Sequence, residues 1–157
     1  MRAFPALTVS RSSHLAGRLS LVVGLPLMGA GNSFLVRMLE AFEAGRTIGA
    51  PENEVRTPID VITGGRALVE LAGGKYQGIF HLAGLSRVNR VELNKMIADR
   101  FGFPAHLVVA QPAAAKPGRA ARPRDVSLVN SRAAELKTPM QSLDEGLSLI
   151  LKAANSR

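Results

Sequence analysis

Arginines are the side chains best suited to chemistry in this sequence. Lys116, Arg119, Arg122 and Arg124 fall within Gln111 to Arg124 (QPAAAKPGRAARPR), a Pro/Ala/Gly-rich stretch that contains no acid. A guanidinium fork matches phosphate oxygens, so such a loop suits a nucleotide-linked small molecule as well as a polynucleotide. A solvated connection explains the same composition, and both readings stand. Around Arg122 no apolar face needs the side chain for packing, so an anion explains its charge; a surface ion pair to Asp125 or Glu135 is the alternative. His14, His81 and His106 lack metal-ligand spacing, and His81, inside the apolar run Ile79 to Gly84, reads as a hydrogen-bonded strand residue. No GxSxG is present, and the single tyrosine, Tyr76, stands four residues before Phe80 and so cannot begin a Tyr-x-x-x-Lys pair. Gly29, Gly31 and Phe34 fall one glycine short of GxGxxG, and the Gly24 to Gly29 spacing lacks the lysine of a P-loop. A turn after a buried strand accounts for these glycines.

The chain that positions these groups has 157 residues, 46% of them hydrophobic and 20% charged, enough for one domain with a sizeable core and unlike a disordered or fibrous chain. Twenty Lys and Arg against 12 Asp and Glu give a formal charge of +8. A nucleic-acid reading rests on that charge alone, and the 4% aromatic content and absence of tryptophan give it no stacking platform. The absence of cysteine removes disulfides, thiolate metal sites and thiol nucleophiles and fits a cytoplasmic setting. Leu19 to Val36 is uncharged but broken by Gly24, Pro26 and Gly29, so no membrane span is expected. Arg2, Arg11 and Arg18 ahead of Leu19 to Met28, with small residues at Gly29 to Gly31, also fit a secretory signal. Pro26 and the helical pattern that follows directly favour a strand-loop-helix unit instead.

Residues 1–18 read as a poorly ordered lead-in and residues 19–157 as a single α/β domain. Leu19 to Leu25, closed by Pro26, is expected to be a strand buried on both faces. A helix capped by Asn32 or Ser33 follows, burying Phe34, Leu35, Met38, Leu39 and Phe42 and stopping at Gly45. Thr47 and Ile48 suit a short edge strand. A helix from about Asp60 to Ala72 carries Val61, Ile62, Leu68, Val69 and Leu71, with Gly64 and Gly65 marking a close approach. Ile79 to Ala83 is a second buried strand, and Asn89 and Glu92 form a capping box for a helix ending at Gly102. Leu107 to Val109 is a short strand, and Ser142 and Glu145 cap the last helix. Strands alternating with helices indicate a parallel sheet, and two strong strands make it a partial one.

In order and spacing, Leu21 to Gly31 (LVVGLPLMGAG), Arg56 to Ile59 (RTPI), Gly78 to Gly84 (GIFHLAG), Arg122 to Leu128 (RPRDVSL) and the Ser142 helix are similar to a set of family segments. They resemble the C-terminal, substrate-binding half of the extended short-chain dehydrogenases/reductases, most like the dTDP-4-dehydrorhamnose reductase and NAD-dependent epimerase family, over about residues 19–151. The resemblance implies a partial Rossmann-like parallel sheet with helices. It also implies an NAD(P) cofactor and a nucleotide-sugar substrate. Gly24 and Met28 stand where the family strand commonly carries an arginine and a tyrosine, while Pro26 and Gly29 are kept. By resemblance Pro26 and Leu27 lie beside the nicotinamide, and Asn32, Arg56 and Arg122 face the substrate.

The family's glycine-rich dinucleotide turn and its Tyr-x-x-x-Lys belong to the other half and have no match in this sequence. The expectation is therefore binding without turnover: a truncated product, or a subunit completed by a second chain that supplies the dinucleotide-binding half. A non-catalytic regulatory or scaffold protein of the same fold is the alternative.

Overall fold

The computed structural model describes residues 14–26, 33–112 and 123–156. Among the described residues the first strand is β1, Leu15–Leu19, ahead of the Leu19 start expected from the apolar run. Gly17 and Arg18 hide this strand from periodicity. A Cβ at Gly17 would stand 3.3 Å from Leu68 Cδ2, so the glycine suits a helix lying close over the strand.

The single strand expected over Leu19 to Leu25 is two, because the backbone changes partners midway. Ser20 N–H donates to Leu82 O at 3.0 Å, whereas Leu21 O accepts from Ile59 N–H at 2.9 Å. The second piece, β2, is Val22–Val23. Next come helix α1, Phe34–Glu43, β3, Ile48–Pro51, β4, Val55–Arg56, and β5, Ile59–Asp60. Helix α2, Val61–Gly73, precedes β6, Gly78–Leu82, and β7, Val88–Asn89. The chain ends with α3, Arg90–Arg100, β8, Val108–Gln111, and α4, Leu143–Asn155. Among the described residues, β1 pairs with β6, β2 with β5 and β3 with β8, all parallel, while β4 pairs antiparallel with β7. The expected α/β class with parallel pairing is therefore present.

Local chemistry sets the helix ends. Ser33 is the residue before α1, but its hydroxyl donates to Gly24 O at 2.9 Å and makes no cap bond. Gly45 ends α1 at φ 66°, and Arg46 N–H reaches back to Ala41 O at 2.8 Å, closing the helix as a left-handed glycine does. Asp60 caps α2 from outside it, its Oδ1 accepting from Ile62 N–H and Thr63 N–H at 3.1 and 2.8 Å. Both expected capping boxes, Asn89 with Glu92 and Ser142 with Glu145, are formed.

Helix α2 buries its small residues rather than its most apolar ones. Its buried residues are Thr63, Gly64, Ala67 and Leu71, a face of mainly small side chains that lets the backbone approach β1. Val61, Leu68 and Val69, apolar residues of the same helix, are exposed. A Cβ at Gly64 would lie 3.5 Å from Leu19, so this glycine sits in the contact, whereas Gly65 has nothing within 4 Å.

Two apolar clusters hold the layers. Leu35, Met38, Phe42, Leu93, Ile97, Leu147 and Ile150 join α1, α3 and α4. Ile59, Ala67, Leu71, Phe80, Leu82 and Leu136 join α2 to its strands. Each fully buried leucine or phenylalanine contributes about 2 kcal/mol relative to exposure.

Candidate anion-binding site

The candidate site is built on backbone pairing rather than on a helix or cleft. In the β4–β7 ribbon, Val55 stands opposite Asn89 and Arg56 opposite Val88. On β4's other side, Val55 N–H donates to Arg124 O at 2.7 Å and Val126 N–H donates to Val55 O at 3.2 Å. Three chain segments thus bring Arg56, Arg87, Arg90 and Arg124 into one region, together with Glu54 and Asp125. Proline follows at residue 58, and Thr57 adds a lock: its Oγ1 accepts from Leu128 N–H at 3.0 Å.

Each arginine is held differently. Arg56 Nη2 pairs with Glu54 Oε2 at 3.1 Å, both side chains less than one-fifth exposed. Its Nη1 donates to the carbonyls of Val55 and Arg124 at 2.7 and 3.3 Å. Three of its five N–H donors are therefore spent on the ribbon itself. Arg87 pairs with Asp125 across the exposed side, and Asp125 Oδ1 also accepts from Ser127 N–H at 2.9 Å. The Ser127 N–H and the Arg87 guanidinium hold the Asp125 carboxyl well below its usual range.

Arg90 opens α3, with its guanidinium 5.3 Å from the centre of the Phe34 ring. Its backbone N–H donates to Glu54 O at 3.0 Å, tying the helix start to β4. Burial pushes its pKa below the usual guanidinium value; Glu54 opposes that shift and Arg56 adds to it.

The sequence-derived site residues are only partly brought together. Arg56 is on the ribbon. Pro26 follows β2, two residues after the Gly24 carbonyl that accepts from Ser33. Leu27, Asn32 and Arg122 lie outside the described residues, as do Met28, Gly29 and Gly31 of the near-GxGxxG segment and Lys116 and Arg119 of the basic stretch. The two acids weighed as ion-pair partners for Arg122 are engaged elsewhere: Asp125 with Arg87, and Glu135 with Arg132 at 2.9 Å. His81 Nδ1 lies 2.9 Å from Val129 O, consistent with a hydrogen-bonded strand residue. Among the described residues, no three His, Asp or Glu come together in a metal-holding group, and no helix is long and apolar enough to cross a membrane.

Sequence reasoning missed Arg87 and Arg90. The only textual signal was the Asn89/Glu92 capping box, which fixes residue 90 as the first helical position and so points to a cation where the helix dipole disfavours one.

Comparison with known proteins places this geometry in context. A family profile described as RmlD substrate binding domain matches residues 6–156. No curated protein sequence matches. A dTDP-4-dehydrorhamnose reductase from Bacillus anthracis str. Ames, solved in complex with NADP, superposes with a TM-score of 0.76 at 18% identity, over 88% of this chain and 48% of that one. A hypothetical dTDP-4-dehydrorhamnose reductase from Sulfolobus tokodaii superposes at 0.69 with 28% identity, over 87% and 47%. A UDP-glucose 4-epimerase from Thermotoga maritima, solved with UDP-glucose, gives 0.67 at 20% identity, over 90% and 46%. The chain spans about half the length of each of these structures.

Proposed function

The chain belongs to the RmlD substrate binding domain family, and on that premise we propose that it is the sugar-nucleotide-binding part of an NAD(P)-dependent reductase or epimerase. The observation that carries the proposal is the arginine-rich ribbon, where Arg56, Arg87, Arg90 and Arg124 meet Glu54 and Asp125 on three tied segments. A surplus of guanidinium groups on a rigid backbone suits the diphosphate of a nucleotide sugar, because positions set by hydrogen bonds need no reordering when the anion arrives.

Pro26 and Leu27 are proposed to border the nicotinamide and Asn32, Arg56 and Arg122 the substrate. Proline lacks a backbone donor, so Pro26 fits an apolar ring face rather than a pyrophosphate. The bound nicotinamide would supply the hydride chemistry. This sequence contains neither the glycine-rich pyrophosphate turn nor a Tyr-x-x-x-Lys, so its residues would bind and orient substrate while another half contributes the proton donor.

The proposed docking place for that half is β1. The outer edge of β6 is covered, since Arg132 Nη1 donates to Gln77 O and Ile79 O at 3.1 and 3.2 Å. Beside β1's outer edge the described residues place no strand, and Leu15, Leu19 and Ile79 are exposed.

NADPH oxidation with a dTDP-4-keto sugar tests the proposal on the purified chain. No turnover is expected, and clear turnover would contradict the division of labour.

A further inference from the structure

In a parallel pair every second residue turns its peptide groups toward the partner strand. On β6 these are the even-numbered residues: Gly78 N–H donates to His14 O at 2.7 Å, and Leu82 O accepts from Ser20 N–H at 3.0 Å. The carbonyls of Gln77, Ile79 and Ala83 therefore point away from β1, toward a position where the described residues place no strand. Side chains fill it instead. Arg132 Nη1 donates to Gln77 O and Ile79 O at 3.1 and 3.2 Å, and Asn130 Nδ2 donates to Ala83 O at 2.7 Å. Between them His81 Nδ1 meets Val129 O at 2.9 Å.

Arg132 is fixed on three sides. Beyond the two carbonyls, its Nε and Nη2 donate to Glu135 Oε1 and Oε2 at 2.9 and 3.0 Å, and its guanidinium carbon stands 4.0 Å from the centre of the Phe80 ring. Gly78 makes room for it: a φ of 84° favours glycine, and a Cβ there would stand 3.0 Å from Arg132 Nη1. Ala133 is buried, and Leu136 anchors the segment in the cluster that holds Phe80 and Leu82.

This segment closes the edge without replacing it. A paired strand would satisfy the same carbonyls and then present a fresh row of its own. Here Ser131–Glu135 is a 3-10 turn, and each bond to β6 named above has a side-chain member, so no new edge is offered. We infer that residues 129–135 are an edge strap, with Arg132 as its key, that ends the sheet at β6 and leaves β1 as the side on which another strand can add. Symmetry gives the strap its consequence. Two copies pairing β1 against β1 use one edge twice and stop at a dimer, whereas copies with β1 and β6 both open add head to tail without closing. The strap rests on the bonds around β6 and does not depend on the sugar-nucleotide reading.

The test is sedimentation velocity of the full chain over a range of concentrations for wild type, Arg132→Ala, Arg132→Lys and Asn130→Ala, each with a thermal melt. Arg132→Ala is expected to reach at least about twice the wild-type mass and to keep growing with concentration. Arg132→Lys keeps the stem and the charge at the edge, but a single ammonium does not span two carbonyls and a carboxylate, so its mass should fall in between. Asn130→Ala frees one carbonyl, should show a smaller rise, and carries the test if Arg132→Ala loses its melt. Hydrogen exchange at the Ile79 and His81 amides, which face the same way as the freed carbonyls, should slow as the variant associates. Wild-type mass in a folded Arg132→Ala, or in Asn130→Ala where Arg132→Ala does not fold, overturns the inference. So does growth that leaves those two amides exchanging as before. A monomeric wild type beside a growing Arg132→Ala sustains the strap and removes β1 as a docking edge.

Discussion

Glu70 Oε2 accepts both the backbone N–H of Thr138, at 2.9 Å, and its hydroxyl, at 2.7 Å, so one carboxylate of α2 holds the segment leading into α4. On Oε1 it accepts the Tyr76 hydroxyl and Lys137 N–H, both at 2.7 Å. These bonds, that of Tyr76 foremost, lower its pKa from 4.5 to about 2. A carboxylate depressed on folding contributes stability above its unfolded pKa and loses that contribution as pH falls through the folded value. The melting temperature of wild type should therefore drop between roughly pH 5 and pH 2. Glu70→Gln should melt lower at neutral pH and lose less on acidification. Parallel curves for the two proteins would remove Glu70 from the account.

Glycine substitutions should separate two environments within one fold. Gly65 lies inside α2 with nothing within 4 Å of a Cβ, and Gly65→Ala should stabilise the protein by about 0.5 to 1 kcal/mol. At Gly84 a Cβ would collide with the Pro58 carbonyl oxygen, in the link between β4 and β5. Gly84→Ala should cost about 3 kcal/mol or more, since backbone must move. Urea melts of both variants give the signs directly; a stabilised Gly84→Ala would contradict the close approach of the two segments.

Much of this architecture is legible in the sequence where the signal is local. Asn89 with Glu92, Ser142 with Glu145, and the stops at Gly45 and Gly102 each involve residues one turn apart, and all four are formed. What escapes is pairing. A two-residue strand such as Val55–Arg56 has no period to detect, and its partners come from residues 88–89 and 124–126. For the same reason Arg90 reads as an ordinary surface charge until the ribbon places Glu54 and Phe34 around it. On α2 hydrophobicity alone does not find the buried face. Hydrophobicity marks Val61, Leu68 and Val69, but closeness of packing selects Thr63, Gly64 and Ala67. Arg56 was reached through family resemblance rather than from its own surroundings.

Arg122, beside the ribbon in sequence through Pro123 and Arg124, has its two nearest proposed acids already paired. Arg122→Ala should weaken dTDP-glucose binding by about 1 to 3 kcal/mol while barely changing the melting temperature. Calorimetric titration of the variant decides it, and an affinity equal to wild type would take Arg122 out of the site.

Among the described residues no strand lies beside β1's outer edge, and as a docking edge it has a hydrodynamic consequence. At micromolar concentration, size-exclusion chromatography with light scattering should give a mass above the 16.7 kDa of one chain, through self-association along Leu15–Leu19. Arg substituted at Leu15 and Leu19 should reduce that mass. A monodisperse monomer of wild type would count against β1 as a docking edge.

The central claim is that this chain by itself recognises a nucleotide sugar. Isothermal titration of the purified 157-residue protein with dTDP-glucose, against dTDP and glucose separately, measures it most directly. The account predicts saturable binding of one dTDP-glucose per chain, weaker binding of dTDP and none of glucose. Absence of saturable heat with dTDP-glucose, from a protein shown to be folded by its melt, would contradict it.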